Sequence, residues 1–286
     1  MPLPISFVVK ARDQLTDLYG LMYRPMNFDE EKSYPVLNYL YPGPSGSSVG
    51  SRSFQSSRRD NQAVAELGFI VVEVDAMGTP GRSKSFHDSY YGNMADNGLP
   101  DQVGTIQQLA SSRPWMDLDR VGIWGHSGGG FASTAGILRY PDFYKVAVSS
   151  AGNHDNRNYE DDWGERWQGL LETYPELTPL DTEVEGGAVS PTNYDSQANQ
   201  LLVKNLQGKL LLAHGLMDTN VHPSNTLLVV EALIEAEKEF DLLILPNLSH
   251  DFSLSRYFML KRWNYFVEHL LHINPVADFR FAENIP

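Results

Sequence analysis

Three side chains that could together activate a serine hydroxyl lie far apart along the chain. Residues 121–130 read VGIWGHSGGG, which places a G-x-S-x-G motif at Gly125, Ser127 and Gly129. An apolar run precedes the motif and a helix-like run follows it, as in the strand–turn–helix that presents a serine nucleophile. The alternative is a glycine-rich turn without chemistry, but a phosphate loop would need a lysine that is missing here. The motif therefore predicts Ser127 as a nucleophile.

A serine needs a base to take its proton and a third group to orient that base. In serine hydrolases with this turn the order is serine, then acid, then histidine, each after a strand. The apolar run KLLLAHG is followed by Asp218, and the next apolar run, DLLILP, is followed by His250. Taken singly, each could be a turn or surface residue. Their placement after consecutive strands predicts a Ser127–Asp218–His250 triad.

The remaining histidines do not follow this order. His126 lies inside the serine motif and His214 ends a strand-like run just before the acid, so we expect local packing roles for both. The chain has no cysteine, no HExxH motif and no cluster of histidine and aspartate. We therefore predict neither a metal ion nor another cofactor.

The charge of the chain bears on its partners. The net charge is −14, and residues 160–185 carry nine acidic side chains against the single Arg166. Nucleic acid and anionic membranes need clusters of lysine and arginine, so we expect neither as a partner. No apolar run is long enough to span a bilayer, and the first residues do not resemble a signal peptide. The sequence leaves the compartment open.

Short apolar runs alternate with longer helix-like segments, which is typical of an α/β fold with a mainly parallel sheet. We expect the first two strands, which have no helix between them, to form an antiparallel hairpin at one edge. We expect one domain over residues 1–286. The predicted strands lie near 5–11, 17–23, 36–41, 69–75, 120–125, 145–149, 209–214 and 240–246, and the predicted helices near 57–67, 98–112, 128–140, 223–237 and 254–271.

Two segments interrupt this alternation. Residues 42–56 form a loop rich in glycine, serine and proline next to a predicted strand end, and residues 152–193 mix aromatic, acidic and proline residues. Long excursions in a compact domain are often functional. We therefore expect each segment to be functional or mobile.

These motifs resemble the catalytic domain of the prolyl oligopeptidase family, and in particular its dipeptidyl peptidase IV branch. The similarity runs from about residue 17 to about residue 271. The matching pieces are DLYGLMYRP at 17–25, YPVLNYLYPGP at 34–44, the stretch from Asp75 to Gly81, DRVGIWGHSGGG at 119–130, ERWQG at 165–169, HGLMDTNVH at 214–222 and the loop at His250.

The resemblance implies an α/β-hydrolase fold and further site residues. Tyr41 and the backbone N–H of Gly128 would bind the oxyanion. Four residues would contact a peptide substrate: Tyr159, Trp163, Asn220 and Val221. Tyr159 and Trp163 are four apart and would share one face if both lay on a helix. Ordinary packing is the alternative for Tyr41 and for these four residues.

The chain also departs from the family pattern. Gly128 stands where the family usually has tyrosine, Trp163 replaces a tyrosine, and Asp75–Gly78 reads DAMG where DGRG is common. No part of the sequence resembles the amino-terminal β-propeller of such peptidases. We therefore expect this chain to be the catalytic part of a longer one. Family relatives often pair through this domain, so the resemblance also makes a homodimer a candidate assembly.

The sequence as a whole predicts a serine peptidase that works through an acyl-enzyme. An esterase that uses the same triad on other acyl groups is the alternative, since the serine motif does not encode the leaving group. A third hypothesis is an interaction domain that has kept the fold without the activity. The residue preference before the cleaved bond stays open.

Overall fold

A computed structural model describes residues 3–49, 58–96, 98–174 and 191–281. Eight strands form one sheet in the order β1-β2-β4-β3-β5-β6-β7-β8. All eight predicted strands are present, and the largest difference is an earlier start for β5. The strands are β1 (Ile5–Lys10), β2 (Asp17–Tyr23), β3 (Tyr34–Tyr39), β4 (Ile70–Val74), β5 (Met116–His126), β6 (Tyr144–Ser150), β7 (Lys209–Gly215) and β8 (Asp241–Leu245).

The sheet is antiparallel at one edge and parallel elsewhere. β1 and β2 form the predicted hairpin, and β2 pairs antiparallel with β4. Every following pair, from β4–β3 to β7–β8, is parallel. Parallel neighbours need a crossover on one face of the sheet, which explains why helices separate these strands in the sequence.

The five predicted helices are present with shorter bounds, and two further helices occur. The helices are α1 (Asn61–Glu66), α2 (Lys84–Asp88), α3 (Leu99–Ala110), α4 (Gly128–Arg139), α5 (Asp161–Gln168), α6 (Ser224–Glu235) and α7 (Arg256–Phe266), and the last continues as a π-helical turn to Leu271. The additional helices, α2 and α5, are short and mostly polar. Neither is long enough to show the extended apolar repeat of the longer predicted helices, although α5 carries Trp163 and Trp167 four residues apart.

Two apolar clusters cover the two faces of the sheet. On β4, Val72 and Val74 belong to the cluster that includes residues of α3, α4 and α6. Val71 points the other way, into the cluster that includes residues of α1 and α7. Because both faces are covered, the β4 strand is buried along its whole length.

The parallel register brings the carboxyl ends of four strands to one edge. His126 at the end of β5 pairs with Ser150 at the end of β6, and Ser150 pairs with Ala213 on β7. Gly215 at the end of β7 pairs with Leu245 at the end of β8. The loops that follow these strands therefore leave the sheet side by side, where ligand sites of open α/β sheets form.

The described residues include no helix that is both long and apolar enough to cross a membrane.

Glu73 is an acidic side chain buried inside the fold on β4. Glu73 on β4 is fully buried, and the hydroxyl of Tyr23 donates to its Oε1 at 2.5 Å. Burial raises the pKa of Glu73 to about 7, against the opposing effects of the Tyr23 hydrogen bond and the charge of Arg58. The folded state therefore holds a proton that the unfolded chain releases near the ordinary value of 4.5.

We expect this carboxyl group to weaken the fold as the pH rises. Its contribution is fully present below about pH 4.5 and is lost as the pH passes through about 7. Urea unfolding gives the free energy of unfolding of Glu73→Gln and of wild type. Between pH 5 and pH 8 the value for Glu73→Gln should rise relative to that of wild type by up to about 3 kcal/mol. The exposed Glu235 provides the control, since Glu235→Gln should track wild type at both pH values. Parallel pH dependence of wild type and Glu73→Gln would contradict the raised pKa.

Candidate active site

Ser127 occupies the tight turn between a strand and a helix. β5 ends at His126 and α4 begins at Gly128, so Ser127 alone joins them. Its φ of 59° and ψ of −121° are rare for a residue with a side chain. The Ser127 N–H donates to the carbonyl of Ser150 at 2.8 Å, which ties the turn to the neighbouring strand. This hydrogen bond and the packing of the turn hold the strained backbone in place.

The glycines of the motif are required by close backbone contacts. A Cβ atom on Gly125 would lie 2.5 Å from the backbone of Gly129. One on Gly129 would lie 2.5 Å from the carbonyl oxygen of Leu40, at the end of β3. Real Cβ atoms do not approach backbone so closely, because of steric repulsion. The motif thus lets α4 start directly against the ends of β5 and β3.

The structure brings the three predicted side chains together. His250 Nε2 lies 3.0 Å from Ser127 Oγ, and His250 Nδ1 lies 2.7 Å from Asp218 Oδ2. The loops after β7 and β8 carry Asp218 and His250, respectively. A carboxylate only accepts, so Nδ1 carries the proton and Nε2 is free to accept from the serine hydroxyl. This tautomer is the one that a general base for Ser127 requires.

Backbone groups fix the orientation of Asp218. Its side chain is fully buried, and its Oδ1 accepts hydrogen bonds from the N–H groups of Asn220 and Val221, both at 2.9 Å. Oδ2 is left to face His250. Buried carboxylates need such donors, because an ion without partners is costly away from water.

His126 packs against the base. Its ring centroid lies 4.9 Å from that of His250, and its Nδ1 lies 2.9 Å from the hydroxyl oxygen of Ser150. Burial, with a smaller effect from the neighbouring His250, lowers the pKa of His126 to about 3. His126 is therefore neutral whenever His250 can act as a base, and the local role predicted for it agrees with this position.

Tyr41 and Gly128 lie on the same side of the serine turn. A Cβ atom built on Gly128 would be 3.9 Å from the Tyr41 hydroxyl oxygen and would clash with nothing. The Tyr41 N–H donates to Ser48 Oγ at 2.7 Å, and the ring packs over Gly46, where a Cβ atom would be 2.5 Å away. The loop after β3 thus holds the tyrosine hydroxyl near the amino end of α4. Free N–H groups at a helix start attract negative charge.

The predicted substrate residues occupy two neighbouring loops. The Tyr159 hydroxyl donates to Asn220 Oδ1 at 3.2 Å, and its ring meets that of Trp163 edge to face at a centroid distance of 6.1 Å. Burial, first of all, raises the pKa of Tyr159 to about 12. Val221 is fully buried, so it supports the loop and offers no exposed surface. Substrate contact by these four residues stays a prediction.

Tyr159 and Trp163 do not lie on one helix, so the condition for a shared helical face is not met. Tyr159 has an extended backbone, with φ of −119° and ψ of 178°, and α5 begins only at Asp161. The short 3₁₀ turn before Tyr159 begins at its cap residue, Asp155. The extended backbone of Tyr159 separates this turn from α5. The two rings meet because the chain bends between them.

Some residues of this region were not predicted from the sequence. Trp167 extends the aromatic row, with its ring 6.5 Å from Trp163 and 5.4 Å from His87 by centroid distances. The spacing of Trp163 and Trp167 within α5 was a usable signal. Ser150, which holds both Ser127 and His126, could be found only from the pairing of β5 with β6.

Within residues 3–49, 58–96, 98–174 and 191–281, no three histidine or acidic side chains are grouped as metal ligands would be.

Comparisons with known proteins identify the family of the chain. The sequence model of the prolyl oligopeptidase family matches residues 55–272. The chain belongs to the prolyl oligopeptidase family. The membership predicted from the motifs is therefore confirmed, and so is the α/β-hydrolase fold that it implied.

Several relatives carry the name of a dipeptidyl peptidase or dipeptidyl aminopeptidase. Dipeptidyl peptidase 8 of Mus musculus is 30% identical over 255 residues, which are 89% of this chain and 27% of the mouse protein. The crystal structure of dipeptidyl peptidase 4 from Porphyromonas gingivalis is similar with a TM-score of 0.79 and 26% identity, over 93% of this chain and 35% of that one. A structure from Bacteroides ovatus, described as a dipeptidyl aminopeptidase IV, has a TM-score of 0.81 and 30% identity, over 94% and 36%. The chain spans about a quarter of the length of the curated relatives it matches.

The serine turn should tolerate a methyl group at one glycine and not at another. Gly125→Ala places a Cβ atom against the Gly129 backbone and should lower the free energy of unfolding by about 3 kcal/mol or more. Gly128→Ala is the matched control, since its nearest new contact is 3.8 Å away and the expected change in stability is under about 1 kcal/mol. Urea unfolding measures both variants. Equal stability of the two would show that the turn relaxes freely.

Proposed function

We propose that this chain is the catalytic part of a serine peptidase that cleaves peptide bonds through an acyl-enzyme. The observation that carries the proposal is the continuous link from Ser127 Oγ to His250 Nε2 at 3.0 Å and from His250 Nδ1 to Asp218 Oδ2 at 2.7 Å. Family membership supports peptide bonds as the substrate, because the named relatives are dipeptidyl peptidases.

In the proposed reaction, Ser127 Oγ attacks the carbonyl carbon of the scissile bond while His250 Nε2 takes the hydroxyl proton. The imidazolium, stabilised by Asp218, then gives that proton to the leaving amine as the C–N bond breaks. A water molecule attacks the resulting ester, again with His250 as base, and the acid product leaves with Ser127 restored. Asp218 is buried and accepts two backbone N–H hydrogen bonds, so it stays in place and keeps Nδ1 of His250 protonated in every step.

The oxyanion of each tetrahedral intermediate would be held beside the amino end of α4. The backbone N–H of Gly128 and the hydroxyl of Tyr41 are the proposed donors. Their support is the proximity of Tyr41 to Gly128 and the anchoring of Tyr41 by Ser48. Fixed donors aimed at developing charge provide a large part of the rate enhancement in acyl transfer.

The loops beside the triad would recognise the peptide. Tyr159 and Trp163 present aromatic surface, and Asn220, held by the Tyr159 hydroxyl, could donate its amide N–H to a substrate carbonyl. Val221 is fully buried, so it would shape the pocket by supporting the loop that carries Asn220. These roles follow from the resemblance to the family and from the positions of the loops.

A further domain belongs to the proposal. The relatives are about two and a half to three and a half times as long as this chain, which supports the view that it acts with a further segment, for which a β-propeller is our proposal. Such a domain would restrict access to the triad. A homodimer formed through this domain likewise stays a proposal.

Hydrolysis of three substrates separates the candidate activities. The substrates are a dipeptide nitroanilide with proline before the cleaved bond, the same compound with its amino group blocked, and a simple nitrophenyl ester. For each substrate the enzymatic rate is divided by the rate of the uncatalysed reaction. We expect this ratio to be much larger for one of the two anilides than for the ester.

A fluorophosphonate should label wild type at Ser127. Ser127→Ala should lose both turnover and labelling with little change in stability, while Ser111→Ala, at the end of α3, should keep them.

Turnover of the ester alone would refute the peptidase and leave an esterase. Folded protein without labelling would refute the hydrolase and favour an interaction domain.

The hydroxyl of Tyr41 should act on the chemical step. Tyr41→Phe removes one proposed oxyanion donor and should lower kcat by about 100-fold while KM changes little. Tyr91→Phe, on the exposed surface, is the control and should match wild type. Steady-state kinetics on the better substrate gives both constants. An unchanged kcat for Tyr41→Phe would remove this tyrosine from the mechanism.

A further inference from the structure

A second histidine lies against the carboxylate oxygen of Asp218 that faces His250. His214, near the end of β7, has no exposed surface. Its Nε2 lies 2.9 Å from the carbonyl oxygen of Val221 and its Nδ1 lies 2.7 Å from the hydroxyl oxygen of Thr226 on α6. The same Nε2 lies 3.3 Å from Asp218 Oδ2. Both ring nitrogens are therefore engaged inside the fold.

The partners of His214 determine where its proton lies. A carbonyl oxygen only accepts, so Nε2 must carry a proton and donate it to Val221. Nδ1 then accepts from the hydroxyl of Thr226. Burial lowers the pKa of His214, which favours the neutral ring with its one proton on Nε2. The positive end of that N–H bond lies against the carboxylate of Asp218.

Asp218, Val221 and His214 form a closed set of contacts. Asp218 Oδ1 accepts from the Val221 N–H, while His214 Nε2 donates to the Val221 carbonyl. The N–H group of Val221 is thus held by Asp218, and its carbonyl group is held by His214. The preceding residue, Asn220, is fixed by its own N–H bond to Asp218. A change at His214 would move the acid and the loop of Asn220 together.

We propose that His214 is a positioning residue for hydrolysis: through its Nε2–H it holds the Val221 loop and tunes the charge that Asp218 presents to His250. The proposal rests on the proposed serine-hydrolase function. His214 itself would touch neither the substrate nor the serine.

Few other titratable groups face His214. Among the described residues these are Asp218, His250 and His154, the last from the loop after β6. Burial lowers the pKa of His154 to about 3, so this ring is neutral as well. The charges that change near His214 during turnover are then those of the Asp218–His250 pair. The Nε2–H dipole stabilises the carboxylate and disfavours a positive charge on His250.

The expected effect of losing this donor has a definite sign. Without the positive end of the dipole, the imidazolium form of His250 is more favourable. The acid limb of kcat/KM against pH should therefore move to higher pH by a few tenths of a unit. Freed from His214, the loop should also hold Asn220 less well, so KM should rise while kcat falls.

Two replacements of His214 separate its two nitrogens. In His214→Gln the amide N–H can reach the position of Nε2 and contact Val221 and Asp218. In His214→Asn the shorter amide can keep only the partner of Nδ1, Thr226. We expect His214→Asn to lose about tenfold in kcat/KM, as outer hydrogen-bond partners of active groups often do, and to shift the acid limb. His214→Gln should restore most of the activity and the wild-type limb.

Thr226→Val is the matched control for packing. It removes the hydrogen bond to Nδ1 and leaves the Nε2–H on Val221, so it should lower stability without moving the acid limb. The concentration of active sites is measured with a fluorophosphonate, which makes the comparison independent of any misfolded fraction. An unshifted limb in His214→Asn, or an equal shift in Thr226→Val, would overturn the proposal.

Wild-type protein provides a test that needs no variant to fold. Nitrogen-15 NMR of labelled histidine should show His214 as the neutral Nε2–H tautomer at neutral pH, where the proposed hydrolysis is measured. A ring protonated at Nδ1, or one that titrates with His250, would overturn the proposal. Failure of the hydrolase proposal is distinct, because wild type would then show neither labelling nor turnover.

Discussion

The hydrogen bond between His250 and Asp218 joins two loops that are 32 residues apart in sequence, and the candidate site depends on it. It holds the imidazole in the tautomer that leaves Nε2 free for Ser127. The bond can form only because β7 and β8 are adjacent and parallel, so that their carboxyl ends lie at one edge. The register of these two strands is thus a condition for the proposed chemistry.

The serine turn imposes a second constraint. A residue with a side chain sits at positive φ between β5 and α4, held by the Ser150 carbonyl. Such strain persists only where the surroundings are closely packed. Here the glycines let the helix start against the ends of β5 and β3, which also brings Tyr41 to the turn. The nucleophile and the proposed oxyanion donors are therefore positioned by the same contacts.

The buried histidines show how burial separates roles among chemically identical side chains. His250 keeps part of its ring exposed, as the proposed proton exchange with a substrate requires. His214 is fully buried and His126 is partly buried, and burial lowers the pKa of each, which favours neutral rings beside His250 and Asp218. Neutral partners can hold the Asp218–His250 pair without adding a charge that would compete with its proton transfer.

The sequence by itself determined the positions of most helices and strands and the order of the candidate triad residues along the chain. Apolar periodicity located eight strands and five helices, and the motif at Ser127 with the later Asp218 and His250 followed from local patterns, since strand and turn propensities act over a few residues. The strand order, the bend between Tyr159 and Trp163, and the contacts of Ser150 and His214 were decided by the tertiary structure. These contacts join residues distant in sequence, and their geometry depends on strand register and on which side chains burial brings together.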